Sequence, residues 1–280
     1  MPKRPITADD LKTIETVADP QMSPDGSRIL FSKGKVGSKT AVVSNLFVVD
    51  VETGEATQLT QGEGGNAHGR WSPDGKAVAF ISGRDKPAPQ VFTLSMSGGD
   101  AVKRTKLPEG AIGGFSWSPD GKRIAFTFRE TAANRTAAAA KAREEKGESN
   151  PPWEIDSIWY RLDGDGYFGM QRFQLCILDV ATGEHSVLYK ACPMGAYSYD
   201  WLPDSSGLIV AHSANKNPLL EKPNDQLYSV PLSGKAKKIK GLSAGHKGNV
   251  AVSPDGKTVA FLGDVNLDDP WGVRNVRLYT

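Results

Sequence analysis

The tetrapeptide Ser23-Pro24-Asp25-Gly26 decides the fold, because it recurs three times along the chain. Identical copies occupy residues 72–75, 118–121 and 253–256, and a degenerate copy, Leu-Pro-Asp-Ser, occupies 202–205. Proline fixes φ, aspartate binds its own backbone and glycine tolerates positive φ, so each copy predicts a tight turn. Repeats spaced by roughly 40–50 residues, with several short strands each, are typical of β-propeller blades.

Each turn lies inside the same pattern of strands. A short apolar stretch precedes it, and a strand of alternating apolar residues follows it, as in Ile29 and Phe31. A third strand such as 45–50 and a more polar fourth strand such as 55–60 complete the set. The pattern predicts an all-β propeller of four-stranded antiparallel blades, about five repeats with the last incomplete. The predicted blades are about 19–60, 67–105, 112–190, 197–240 and 248–280, and their structural turn residues are Asp25, Asp74, Asp120, Asp204 and Asp255.

Two segments depart from the repeat. Residues 1–18 are predicted to form an N-terminal helical segment, with Thr7 as N-cap and an apolar stripe of Leu11, Ile14, Val17 and Ala18. An insertion at 130–152 lies within blade 3 and is rich in Ala, Glu and Lys. Its composition favours helix but provides no apolar face, so it is either a solvated helix or a mobile loop.

The composition excludes several classes of protein. The 280 residues carry 34 Lys+Arg against 32 Asp+Glu, a net charge of +2, which argues against binding to nucleic acid or to an anionic membrane. No signal peptide or membrane span is recognisable, so a cytoplasmic location is expected. Cys176 and Cys192 are expected to be buried thiols, and the four histidines lack metal-ligand spacing, so we expect no metal or other cofactor.

The long connections mark the expected functional face. They are predicted between the second and third strands of every blade, at 33–44, 82–89, 129–173, 211–225 and 263–275. Behind the insertion, the third of these contains an aromatic and arginine cluster that either packs in the blade core or faces a substrate or domain. Its members are Trp153, Trp159, Arg161, Tyr167 and Phe168. His68, expected in a loop between blades, is either a turn histidine or a binding residue.

Two short segments match a catalytic motif and a calcium-binding motif in residue type, but neither has the surroundings that the motif requires. Residues 241–245 read Gly-Leu-Ser-Ala-Gly, but a nucleophile elbow needs a buried strand before the serine and a helix after it. His246 is the only histidine downstream, three residues beyond Ser243. Residues 163–166 resemble a calcium loop, but Tyr167 stands where a third oxygen ligand is required. We therefore predict a turn at 163–166 and no catalytic triad in this chain.

The opening segment carries a family resemblance. Residues 6–31, with Asp-Pro-Gln at 19–21 and then Ser-Pro-Asp-Gly, resemble the start of bacterial prolyl oligopeptidase family serine peptidases. The likeness is to their acylaminoacyl-peptidase and dipeptidyl-aminopeptidase-like branch, and residues 160–168, 174–184 and 269–279 add to it. It covers the whole chain, but only as the propeller portion of such an enzyme.

The resemblance implies a function for a longer protein. Such a peptidase would cleave short peptides or acyl-peptides with a Ser, His and Asp in a C-terminal α/β-hydrolase domain missing from this chain, while the propeller gates access. The fifth repeat stops before its fourth strand, so we expect a fragment of a longer chain. The alternative is a TolB-like, non-enzymatic protein-interaction propeller. A propeller lactonase would need carboxylates and a metal set that we do not find, and self-association is left open.

Overall fold

The computed structural model describes residues 4–37, 41–264, 266, 268 and 272–280. Its contacts divide the chain into two compact units, one ending at Leu107 and the other beginning at Pro108. The first unit contains two four-stranded antiparallel sheets. The first sheet consists of β1 (Thr16–Met22), β2 (Arg28–Val36), β3 (Val42–Asp50) and β4 (Ala56–Gln58). The second consists of β5 (Asn66–Trp71), β6 (Ala77–Ser82), β7 (Gln90–Ser95) and β8 (Val102–Lys103).

The second unit contains three further large sheets. The first consists of β9 (Gly110–Trp117), β10 (Arg123–Glu130), β13 (Gln174–Asp179) and β14 (His185–Tyr189), with α1 (Ala137–Lys146) and the small hairpin β11 (Arg161–Leu162) and β12 (Gly166–Tyr167) inserted after β10. The next consists of β15 (Ser198–Trp201), β16 (Gly207–Ser213), β17 (Asp225–Pro231) and β18 (Lys237–Lys238). The last consists of β19 (Lys247–Val252), β20 (Val259–Asp264) and β21 (Arg274–Tyr279). The predicted fold class, an all-β propeller of four-stranded antiparallel blades, is confirmed.

Every Ser-Pro-Asp-Gly copy makes the same hydrogen bonds. The serine hydroxyl donates to the aspartate Oδ1 at 2.5–2.7 Å, and that oxygen also accepts the amide two residues further on at 3.0–3.1 Å. The serine oxygen accepts the amide five residues further on, at 2.9–3.0 Å. The glycines have φ between 67° and 73°, a left-handed conformation that favours glycine. These bonds fix the hairpin between the first and second strands.

The degenerate copy keeps the turn by other means. Asp204 accepts the amide of Ser206 at 3.0 Å and its hydroxyl at 2.7 Å. Ser205 replaces the glycine and adopts φ 60°, a conformation that is strained for a residue with a side chain. The aspartate, with the proline before it, is therefore common to all five turns, and its carboxylate makes the hydrogen bonds in each.

Buried side chains from neighbouring sheets pack together between the blades. In the first unit one cluster joins Leu30 and Leu46 of the first sheet to Val78 and Phe80 of the second. Tryptophans at the ends of first strands add hydrogen bonds across the same boundary. Trp71 Nε1 donates to the carbonyl of Gln21 at 3.1 Å, and in the second unit Trp201 Nε1 donates to that of Ser116 at 3.4 Å.

A second polar link joins the last two blades of the second unit. The Ser198 hydroxyl oxygen accepts the amide of Val250 at 2.9 Å, and Asp200 Oδ2 accepts that of Val252 at 2.8 Å. Burial raises the pKa of Asp200, and the hydrogen bonds that it accepts from the amides of Val252 and Trp201 oppose that effect. Two side chains of β15 therefore accept hydrogen bonds from backbone amides of β19, the first strand of the next blade.

Four first strands contain a β-bulge. One is at Gly113 of β9, where Ile112 and Gly114 pair with adjacent residues of β10, and the other three resemble one another. Their pairing shifts between Ala18 and Gln21 in β1, between Ala67 and Arg70 in β5, and between Gly248 and Ala251 in β19. In each of these three bulges one non-glycine residue has a positive φ: Asp19 (55°), His68 (57°) and Asn249 (50°). The extra residue changes which side chains of the strand face the core.

The predicted N-terminal helical segment at 1–18 is wrong in extent. A 3₁₀ helix covers only Ala8–Thr13, where Asp10 Oδ2 accepts the amide of Thr7 at 2.7 Å, and β1 begins at Thr16. The predicted apolar stripe is not buried, because Leu11, Ile14 and Val17 are 53–67% exposed. Without a surface to cover that stripe, a helix this short gains little from lengthening.

The first predicted long loop, 33–44, is also wrong. β2 and β3 pair without interruption from Arg28 with Asp50 to Val36 with Val42, so only residues 37–41 remain between them. The other predicted long connections, as far as the structure describes them, lie between second and third strands as expected. The insertion at 130–152 contains a solvated helix, α1, capped by Thr136 and ended by Gly147 at φ 68°, with no buried residue. Residues 269–271 of the predicted family passage lie outside the described residues.

The turn carboxylates predict a loss of stability in acid. The Ser23 hydroxyl and the neighbouring amide lower the pKa of Asp25 to about 2, and serine hydroxyls lower the pKa of Asp74, Asp204 and Asp255 in the same way. A carboxyl whose pKa is depressed by folding stabilises the protein above its unfolded pKa and loses that contribution as pH falls. We expect the unfolding temperature to fall between about pH 4 and pH 2, measured by circular dichroism. Unchanged stability over this interval would contradict the role given to the turns.

The packing between blades predicts the cost of a truncation. Leu208 is fully buried in a cluster with Trp201 and Leu175, so Leu208→Ala should lower the free energy of unfolding by about 2–5 kcal/mol. Leu220→Ala is the matched control, because Leu220 is 73% exposed and should change stability by less than about 0.5 kcal/mol. Chemical denaturation measures both, and equal effects would contradict the assigned packing.

Candidate functional site

A cavity of about 380 Å³ lies beside the long connection of the third blade. Three residues of the predicted cluster line it: Trp153, Tyr167 and Phe168. The start of β9 and the end of β10 supply the opposite wall, through Gly110 and Glu130. The sequence cluster therefore forms part of one concave site rather than a fully buried core.

Arg129 holds the hairpin that carries two of these aromatic residues. Its NH1 and NH2 groups donate to the two carboxylate oxygens of Asp165 at 2.8 and 2.6 Å. Its guanidinium also lies over the rings of Phe168 and Phe173, at 4.6 and 4.7 Å from their centres. Only 11% of the Arg129 side chain is exposed, so a bidentate ion pair between two aromatic faces fixes the turn at 163–166.

Arg135 fixes the other aromatic wall. Its guanidinium lies 3.8 Å above the Trp153 ring and donates to the carbonyls of Pro151 and Pro152. Trp153 in turn stacks on Tyr167, with ring centres 5.7 Å apart. Trp153 and Tyr167 are 37% and 50% exposed, so they offer apolar surface to a ligand while Arg135 and their own stacking fix their positions.

Trp159 and Arg161 support the site without lining it. Trp159 packs on Phe168 with ring centres 5.7 Å apart and donates from Nε1 to the carbonyl of Met194 at 2.9 Å. Arg161 lies over Tyr167 at 5.3 Å and is 3.7 Å from the exposed carboxylate of Asp163. The structure thus brings all five predicted cluster residues into one contact network.

The side chains that line this cavity are suited to binding a ligand. Its described lining includes no Ser, Cys or His, and its cationic groups are already engaged, Arg129 by Asp165 and Arg135 by carbonyls. Exposed aromatic faces, the carboxylate of Glu130 and the amide of Gln171 remain for a ligand. Such a surface suits an apolar or aromatic side chain with a nearby polar group.

His68 lies elsewhere, in the first unit. It belongs to strand β5, at the bulge, and not to a loop between blades as expected. Its Nδ1 is 3.4 Å from an Arg70 nitrogen and 3.9 Å from Asp19 Oδ2, while Arg70 donates to that carboxylate at 2.7 Å. A binding role for His68 stays a prediction.

The other singled-out motifs have structural roles. Ser243 lies in the connection from β18 to β19, where its carbonyl accepts Lys247 Nζ at 2.7 Å, and within the described residues no helix follows it. Residues 163–166 form the turn between β11 and β12. Burial raises the pKa of Cys176 to about 11 and also that of Cys192, so both thiols are protonated at neutral pH. No group of potential metal ligands occurs among the described residues.

The residues that hold the site are not recognisable from the sequence. Arg129 and Asp165 are 36 positions apart, and nothing in the local pattern around either one pairs them. Arg135 lies within the insertion, whose composition alone indicates a solvated segment. The only available signal is the excess of aromatic residues at 153–168, since arginines commonly stack on such rings.

Comparison with known proteins fits this architecture. The family model described as the TolB beta propeller domain matches residues 11–149. Just under half of the chain matches this model. The curated uncharacterized peptidase YuxL of Bacillus subtilis (strain 168) is 33% identical to it over 226 residues, which cover 80% of this chain. The chain spans about one third of the length of that relative, since the match covers 33% of it.

Solved structures share the fold at low sequence identity. The acylaminoacyl peptidase of Pyrococcus horikoshii matches 96% of this propeller with a TM-score of 0.70 and 14% identity, over 39% of its own chain. The putative TolB of Agrobacterium tumefaciens matches 89% with a TM-score of 0.54 and 19% identity, over 70% of its chain. The peptidase relative and the acylaminoacyl peptidase confirm the resemblance to peptidase propellers. In the described part of the propeller, no helix has the length and apolarity to cross a membrane.

The Arg129 ion pair predicts a local change in mobility. Arg129→Gln removes the bidentate bonds to Asp165, so backbone amides of residues 161–168 should exchange hydrogen at least about tenfold faster. Arg161→Gln is the matched control, because its partner Asp163 is fully exposed and the pair should contribute little. Hydrogen exchange with mass spectrometry measures both, and equal protection in the two variants would refute the role of Arg129.

Proposed function

We propose that this chain is the propeller portion of a serine peptidase that acts on short peptides or acyl-peptides and gates their access. The observation that carries the proposal is the 33% identity to a peptidase over 226 residues. The structural likeness to an acylaminoacyl peptidase along 96% of the chain supports it at the level of fold. A cytoplasmic location is part of the proposal, since two buried protonated thiols suit a reducing compartment.

The covalent chemistry would belong to an α/β-hydrolase domain outside this chain. There a serine would attack the substrate carbonyl, a histidine would take and return the proton, and an aspartate would orient the histidine. In this chain Ser243 lacks the strand and helix that such a nucleophile requires. The propeller's contribution is binding and exclusion.

The aromatic cavity would provide that binding. Trp153 and Tyr167 offer stacked, half-exposed rings against which an apolar side chain of a peptide can pack. Arg129 and Arg135 hold those rings in place before any ligand arrives, which lowers the conformational entropy that binding must overcome. Glu130 and Gln171 at the rim can bond the polar backbone of the same peptide.

Peptidase activity tests the proposal directly. A protein that joins this propeller to its hydrolase domain should cleave acylated and short unblocked peptides, and a serine-directed fluorophosphonate should abolish the activity. The 280-residue chain alone should show no such activity, because its one elbow-like serine lacks the catalytic setting. A series of substrates of increasing size tests gating, with folded proteins expected to resist cleavage. Activity in the isolated chain, or equal cleavage of folded proteins, would contradict the proposal.

A non-enzymatic interaction propeller is the second candidate. It is favoured by the TolB-domain match over residues 11–149 and by the fold shared with a putative TolB. The same assay separates the two candidates. A coding sequence without a hydrolase domain, together with a stable protein complex formed by this propeller, would favour the interaction role.

A further inference from the structure

A second cavity, of about 360 Å³, lies in the second unit and shares no lining residue with the first. It opens where β16 ends and where β15, β17 and β19 begin. Tyr197, Pro218 and Leu219 form much of its apolar wall. Its volume falls in the range of pockets that bind small molecules.

Buried Lys247 fixes the rim of this cavity. Its Nζ donates to the carbonyls of Ser243 at 2.7 Å and Asp225 at 2.8 Å, and the side chain is almost inaccessible. The neighbouring amides are held as well, since His246 N donates to Asp264 at 2.7 Å and Lys247 N to Asp225 at 3.0 Å. The ammonium group is therefore engaged by backbone carbonyls of the protein, and hydrogen bonds hold the backbone that carries His246 in place.

The rim offers two hydrogen-bond acceptors to a ligand. His246 Nδ1 is 3.4 Å from Asp225 Oδ2, and a carboxylate at that distance favours the tautomer with hydrogen on Nδ1. The opposite nitrogen, Nε2, is then an acceptor. Asp225 Oδ1 accepts no hydrogen bond within the described residues, while Oδ2 is taken by the Lys247 amide.

Two donors face the same space. The Tyr197 hydroxyl oxygen accepts the amide of Cys192 at 3.2 Å, which leaves its own hydrogen for a ligand. Asn249 lines the cavity with an exposed carboxamide, on backbone held at φ 50°. His212 is not available, because its ring nitrogens contact Tyr189 Oη at 2.9 Å and the carbonyl of Ser213 at 2.8 Å.

We propose that this cavity binds an uncharged amide unit that bears a small apolar side chain, as in one residue of a peptide. An amide offers both N–H and C=O, which match the two acceptors and the two donors. A peptide residue is flanked by two such amides. Replacing one of them by an ammonium group removes an acceptor, and replacing the other by a carboxylate removes donors, so either change would leave a polar group of the rim unsatisfied. The apolar wall of Tyr197, Pro218 and Leu219 receives the side chain. This inference does not depend on the proposed peptidase function.

Three probes with the same side chain test the ligand class on the 280-residue chain. They are N-acetyl-L-leucinamide, L-leucinamide and N-acetyl-L-leucine, titrated at neutral pH by calorimetry or ligand-observed NMR. The uncharged diamide should bind about three- to tenfold more tightly than either charged probe, the ratio expected for one unsatisfied hydrogen-bonding group. Equal affinities, tighter binding of a charged probe, or no saturable binding of the diamide would overturn the proposal.

Variants locate the site. His246→Ala should weaken binding of the diamide about three- to tenfold, while His185→Ala, the matched control on β14, should leave it unchanged. Tyr197→Phe removes a single hydroxyl and provides a second variant if His246→Ala lowers the unfolding temperature. Equal effects of His246→Ala and His185→Ala, with Tyr197→Phe unchanged, would refute the assignment. Because no peptidase activity enters the measurement, its outcome is separate from that of the proposed function.

Discussion

The hydrogen bonds of the turn aspartate are the constraint on which each blade depends. One carboxylate oxygen binds a serine hydroxyl, which precedes the aspartate in four turns and follows it in the degenerate one, and also a backbone amide after it. The first two strands therefore leave the turn in a fixed register. That register places the tryptophan at the end of the first strand where it can reach the preceding blade, as Trp71 reaches Gln21 and Trp201 reaches Ser116. Turn chemistry over four residues thus determines where one blade meets the next.

The same constraint leaves the opposite ends of the strands available for binding. Because the tight turns hold the hairpins together, the connections between second and third strands can vary in length without loss of the fold. The two cavities described above lie at that end of their blades, one beside Gly110 and Glu130 and the other beside Ser198 and Ser213. In both, a basic side chain fixes the rim through contacts within the protein. Arg129 does so through its ion pair with Asp165, and Lys247 through hydrogen bonds to backbone carbonyls such as that of Ser243.

Local signals account for what could be predicted from the sequence. The repeated turns gave the strands and fold class correctly, because each turn is specified within four residues. The helical segment at 1–18 failed since its stripe of Leu11, Ile14 and Val17 has no surface to cover it, and burial is not visible in a periodic pattern. The aromatic cluster was found by composition, but its supports were not. Arg129 with Asp165, and His246 with Asp225, meet only through the tertiary fold.

The bulges in β1, β5 and β19 make the first strands tolerant of a change of one residue in length. Before the bulge in β5 the buried side is set by Asn66, and after it by Gly69 and Trp71, an odd number of positions away, because the extra residue resets the alternation of the strand. Deleting one residue there would leave Trp71 opposite Val78 and an even number of positions from Asn66, so an uninterrupted ladder keeps both on the buried face. Such a deletion would remove the positive φ at His68 and its contacts with Asp19 and Arg70, and not the packing of Trp71. In the evolution of this propeller, the first strands should therefore lose or gain the bulge residue while the core between the blades is kept.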